Sequence, residues 1–197
     1  ICNNSRWKSN GDGGLNGPHN GRKQIAAKQM RYFPLKPRLQ RLFMSSKMAK
    51  LMRWHAEERT NEGVFRHPAA SLAWKDFDRQ NIDFSNDCRS VRLGLASDGY
   101  NPFRTMNIVH STWPVVLIPY NLPSWMCMKQ PFLILFVLIN GPKGPGDKID
   151  MYMQPLIEEL KELWNDGVFT FDASTNQMFQ MHAALLWTIS DFHAYAN

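Results

Sequence analysis

Residues Pro131 to Ile139 read PFLILFVLI, apolar at every position, and the run stops at Gly141-Pro142-Lys143-Gly144-Pro145-Gly146. A strand turns successive side chains to opposite faces, so a run of this kind has to be covered on both sides and belongs inside a sheet. It is too short to cross a bilayer, and no run of about 18 uncharged apolar residues occurs anywhere in the chain. With 44% hydrophobic residues the sequence has more apolar side chain than a disordered chain carries.

Strand patterns precede and follow this run. Val91 to Ser97 alternates apolar and small residues and ends at the turn pair Asp98-Gly99, and Trp113 to Tyr120 is a second strand bounded by prolines. After the Gly/Pro breaker, Asp147 or Asp150 is placed to cap a helix. Its apolar face is Met153, Leu156, Ile157, Leu160, Leu163 and Trp164, its wet side is Glu158, Glu159, Lys161 and Glu162, and Asp166-Gly167 ends it. Val168–Phe171 and Gln177–Met181 flank a polar turn and suit a hairpin. Ala183 to Ser190 is a last apolar strand, running into Asp191.

Three strands, a helix and a further strand are the order of an RNase H-like domain. There an antiparallel meander is followed by a helical crossover and a strand returning parallel to the first. In that arrangement Asp98 follows the first strand and Asp191 the fourth, at the same end of neighbouring parallel strands, where ligands bind in such sheets. Two close carboxylates repel, a divalent cation relieves the repulsion, and Mg²⁺ favours a few carboxylates plus water and phosphate oxygens. Taken singly, each aspartate reads equally well as a turn or capping residue.

Net charge is +6, unevenly spread: residues 1–53 hold 12 Lys/Arg against Asp12 alone, and the remainder holds 11 against 16 Asp/Glu. A basic arm ahead of a mildly acidic body is the pattern of a chain that grips phosphates with one part. Residues 11–21 (GDGGLNGPHNG) are a Gly/Asn linker. Pro37 opens a short helix with Leu39, Leu42 and Phe43 on one side. Ser45 and Ser46 end it and cap a second, whose apolar face is Met48, Leu51, Met52 and His55. Arg31, Lys36, Arg38, Arg41, Lys47, Lys50 and Arg53 are then the candidates for phosphate contact.

Several longer stretches carry a family resemblance. RYFPLKPRLQRLF at 31–43 with Met52-Arg53-Trp54-His55, LGLASDGYNPF at 93–103, WPVVLIPYNLP at 113–123, Trp125 to Lys129, Asp150 to Gly167 and Leu186 to Phe192 closely resemble the plant CACTA-type (En/Spm) DNA-transposon transposases. The resemblance implies cut-and-paste transposition in the nucleus by a DDE/D-type nuclease and strand transferase. It also implies Mg²⁺ or Mn²⁺ held by Asp98 and Asp191, and DNA (the transposon ends) as partner. The expected organisation is a Cys-motif remnant and linker over 1–21, a basic helical arm over 22–88, and a partial RNase H-like catalytic domain over 89–197.

Departures qualify the activity. The family's third acidic residue falls downstream of the fourth strand, beyond this chain, and the Pro and Gly usual after the second aspartate are His193 and Ala196. The chain opens on Ile1-Cys2-Asn3-Asn4, without initiator Met or leader, and reads as the interior of a longer frame. The resemblance therefore implies a catalytically incomplete fragment; the alternatives are a non-catalytic DNA-binding module and a non-functional transposon remnant. Where relatives carry Cys-x-x-Cys, Cys2 stands alone, so no structural zinc is expected, and Cys88 and Cys127 read as partly buried thiols. His55, His67, His110, His182 and His193 make no ligand pair at metal spacing. No membrane association is expected, and nothing bears on self-association.

Overall fold

The computed structural model describes residues 26, 28–59, 65–103, 110–141 and 144–189. Within them run strands β1 (Gln29–Tyr32), β2 (Val91–Ser97), β3 (Trp113–Pro119), β4 (Ile134–Asn140), β5 (Val168–Asp172), β6 (Gln177–Met181) and β7 (Ala183–Ile189). The α-helices are α1 (Lys36–Phe43), α2 (Ser46–Met52), α3 (Trp54–Glu57), α4 (Leu72–Gln80), α5 (Ile82–Ser85), α6 (Ser124–Cys127) and α7 (Ile149–Asn165).

Five strands form one mixed sheet in the order β1-β4-β3-β2-β7, and β5-β6 form a separate hairpin. The antiparallel meander β2-β3-β4 is the expected one, paired from Leu93↔Pro119 to Ser97↔Val115 and from Trp113↔Ile139 to Leu117↔Ile134. The apolar run is internal, with Phe136 and Val137 fully buried. It begins at Ile134 because Pro131 sits in a 3-10 turn over Gln130–Phe132, where a fixed φ and a missing N–H do no harm. Helix α7 crosses over, and β7 returns parallel to β2 with Val91↔Ala183 and Ala96↔Ile189. One extra residue, Leu186, stands on β7 opposite the Leu93/Gly94 step.

Gly94 is required where it stands, since a Cβ there would lie 2.4 Å from the Tyr120 ring. Helix α7 stops at Gly167, whose φ of +65° places it in the left-handed region that glycine enters without steric cost. No side chain caps the start of α7; Asp150 lies in its first turn instead.

Two features depart from the sequence reading. Residues Gln29–Tyr32 form an exposed edge strand on β4, from Gln29↔Asn140 to Tyr32↔Val137. Glu159, assigned above to the wet side of α7, is 6% exposed. It is buried because it is satisfied: its carboxylate accepts the Leu35 N–H at 3.0 Å, the Lys36 N–H at 3.0 Å and the Tyr32 hydroxyl. A carboxylate from α7 thus serves the free N–H groups at the start of α1, which has no cap of its own. The same contact and burial push the Tyr32 hydroxyl up to about 12, burial being the larger cause.

Helices α1 and α2 form where Pro37 and the serines predict, although Ser45 makes no side-chain capping bond. Their apolar faces are not left for a partner. Leu35, Leu39, Phe43, Ala49 and Met52 are fully buried in one core with Leu117, Phe136, Leu156 and Leu163. Each such side chain contributes about 1.5–3 kcal/mol by leaving water. Phe43 meets Phe179 edge to face at 5.0 Å and its carbonyl accepts the Ala173 N–H, which fixes the β5-β6 hairpin to α1. The segment read as a basic arm is therefore built into the core. Among the described residues, no helix is long and apolar enough to cross a membrane.

Candidate functional site

The chain leaves β2 at Ser97 and turns at once through Asp98-Gly99. The turn is tight because Gly99 lies flat on the Trp113 indole, where a Cβ would come within 2.5 Å of Cε2; Gly144 presses on the same ring from its Nε1 side, also at 2.5 Å. Trp113 donates its Nε1–H to Ser111 Oγ at 2.7 Å, so the ring is held. Beyond the turn, Tyr100 and Thr112 exchange two backbone hydrogen bonds of 2.9 Å and keep the hairpin paired. Asp98 stands on this braced corner with its side chain in solvent, one oxygen accepting the Gly99 N–H at 2.6 Å. Among the described residues no Lys or Arg pairs with it. Ser97 Oγ and His110 Nδ1, just before and opposite the corner in sequence, are buried without a hydrogen-bond partner.

Asp191 lies outside the described residues. The last described position of β7, Ile189, pairs with Ala96, and both strands run in the same direction at that point. A hard, unpaired carboxylate such as Asp98 suits Mg²⁺ chemically. Among the described residues no group of three His, Cys, Asp or Glu side chains is placed to hold a metal ion. Cys2 is outside the described residues; Cys88 is half-buried and Cys127 buried, and burial raises the thiol pKa of both.

The seven cations nominated for phosphate contact separate into two groups. Arg53 is spent internally: its Nη1 lies 3.0 Å from Asp172 Oδ2 and 2.9 Å from Ser174 Oγ, and its Nε lies 2.8 Å from Glu57. Asp172 is fully buried; burial opposes its ionisation, but bonds from Ser174 and the Arg53 charge outweigh that and hold its pKa below the ordinary carboxylate value. Arg38 donates to the Leu135 carbonyl at 2.9 Å and lies over Phe33, and Lys36 pairs with Glu162. Arg31, Arg41, Lys47 and Lys50 are exposed and, among the described residues, have no carboxylate partner.

A second polar cluster lies at the start of β2, and sequence reading missed it. Arg92 is 2% exposed, with Nη2 and Nε 2.7 and 3.1 Å from Asp78 Oδ1 and Nη1 3.1 Å from the Ser90 carbonyl. Its guanidinium lies over Trp74 at 5.0 Å and Phe84 at 5.1 Å. Asn121 Oδ1 accepts the Arg92 N–H at 2.7 Å. His67 accepts the Ala69 N–H on Nδ1, so its Nε2–H donates to the Leu122 carbonyl at 3.0 Å. His55, 7% exposed, is pushed down to about 3 by burial first and then by the Arg92 charge. The available signal was an arginine inside a strand whose neighbours are buried on both faces.

Comparison with known proteins adds one match. Neither the curated proteins nor the solved structures yield a match. The model of the transposase family tnp2 matches residues 62–197, from before α4 through β7 and the positions of both candidate aspartates. That span is more than half of the chain, and the chain belongs to the transposase family tnp2.

Proposed function

We propose that this chain carries two of the three acidic residues, Asp98 and Asp191, of the catalytic core of a CACTA-type (En/Spm) transposase, an RNase H-like fold that in intact relatives cleaves and rejoins DNA in the nucleus. The observation supporting it most is the parallel pairing of β2 with β7 across the α7 crossover, which sends the chain out of both strands at one end of the sheet. Asp98 and Asp191 follow those strands and would hold Mg²⁺ or Mn²⁺. Such a cation, when bound, stabilises the leaving oxygen and lowers the pKa of an attacking water or 3′-hydroxyl. Asp98 contributes an oxygen with no competing cation, on a corner that Trp113 and two glycines keep from relaxing. DNA backbone would lie on Arg31, Arg41, Lys47 and Lys50, the nominated cations with no carboxylate partner among the described residues.

The test is Mg²⁺- or Mn²⁺-dependent nicking of supercoiled DNA by the purified chain. Whatever nicking the native chain supports is expected to be lost in Asp98→Asn, with DNA retention in a gel-shift assay intact. Nicking that survives Asp98→Asn would overturn the assignment. Retention without any nicking by the native chain would leave a DNA-binding module in place of a nuclease. Changing Arg41, Lys47 and Lys50 together to Ala is expected to flatten the salt dependence of DNA binding, by roughly one unit of log–log slope per lost contact.

A further inference from the structure

The cavity between α3, α4, α5 and the start of β2 has a volume of about 240 Å³, and its wall includes His55, Arg59, Lys75, Asp78, Cys88 and Arg92. Three cations, Arg59, Lys75 and Arg92, line it with one carboxylate. Asp78 is already committed to Arg92 through two hydrogen bonds. Arg59 gives only its Nε–H inward, to the His55 carbonyl at 3.3 Å; among the described residues no carboxylate pairs with it or with Lys75. Deeper in the wall His55 is more than nine-tenths buried.

We infer that this cavity is a binding site for a phosphoryl anion, seated between Arg59 and Lys75. Cys88 does not oppose an anion, because burial and neighbouring carboxylates keep its thiol protonated. Asp78 does not either, its charge being offset by Arg92. The site lies six residues along β2 from Asp98, about 20 Å at the rise of a strand, and goes beyond the nuclease reading. The anion's source is either free phosphate, pyrophosphate or a nucleotide, or the phosphate of a DNA backbone.

Titration of the whole chain with pyrophosphate, followed by calorimetry and by the His55 ring resonances, tests this. Saturable one-to-one binding that moves those resonances is expected, weakened about tenfold or more in Arg59→Ala/Lys75→Ala. Neither side chain is buried, and circular dichroism of the double variant confirms that it is folded. Displacement of pyrophosphate by a short DNA duplex identifies the backbone as the source; binding that DNA does not disturb identifies a free anion. Absence of saturable binding, or binding unchanged in the folded double variant, overturns the site.

Discussion

At its start β2 holds Arg92, buried and bonded through each of its guanidinium nitrogens; just past its end stands Asp98, exposed and without a cation among the described residues. Both are charges on the same central strand, six positions apart. The first is surrounded by groups that cancel it: Asp78, a carbonyl, and the faces of Trp74 and Phe84. The second is surrounded by groups that fix its position and leave its charge alone. Desolvating an ion is costly enough that a buried one persists only when paired. A carboxylate meant to meet a ligand has to stay in water and unpaired until the ligand arrives. The contrast separates a charge that holds the fold from one available for chemistry.

That contrast can be broken in three ways. Arg92→Met strands Asp78 and removes the cation from two aromatic faces. It is expected to lower unfolding free energy by about 3 kcal/mol, the low end for breaking a buried pair because Asp78 keeps some water; urea denaturation measures it. Next in size is the pH response of the same end. His55 titrates near 3 when folded and near its ordinary 6.5 when unfolded. The unfolded chain therefore takes up the proton first, so stability is full above pH 6.5 and falls as pH drops toward 3. The slope is about 1.4 kcal/mol per pH unit for one proton; His55→Phe removes that share, and His67, also lowered by burial, keeps a slope of the same sign. At lower pH the lowered Asp87 and Asp172 act with the same sign, losing their contribution as they protonate. The smallest effect belongs to the other end: Asp98→Asn is expected to change stability by less than about 0.5 kcal/mol, the range for an exposed site. A large loss there would make Asp98 a structural residue.

Much of the sheet was legible because its strands announce themselves by period and punctuation. Val91–Ser97 ends on Asp-Gly, Ile134–Asn140 is apolar on both faces, and α7 repeats its apolar positions every three or four residues until Gly167. The parallel return of β7 followed from that order and the length of the crossover. Gln29–Tyr32 was not legible: all four residues are exposed, so β1 is held by backbone pairing that leaves no side-chain pattern. Nor could spacing show which cations are already occupied. Arg53 finds Asp172 119 residues away and Lys36 finds Glu162 126 residues away, and only folding brings these together. Of the candidate site, the corner carrying Asp98 was legible as a strand end, while its Trp113 brace was not, because Gly99 and Gly144 reach that ring from distant loops.

The family match begins at residue 62, yet Glu159 and Asp172 beyond it are bonded from before it, by the Tyr32–Lys36 segment and by Arg53. A polypeptide begun at that boundary would expose the outer edge of β4 and strip Leu39, Phe43 and Met52 from the core. It would also take every donor in the Tyr32–Lys36 segment from Glu159, and take Arg53 from Asp172, which keeps Ser174 and Arg89. Recognisable ancestry and the borders of the packed core therefore differ in this protein.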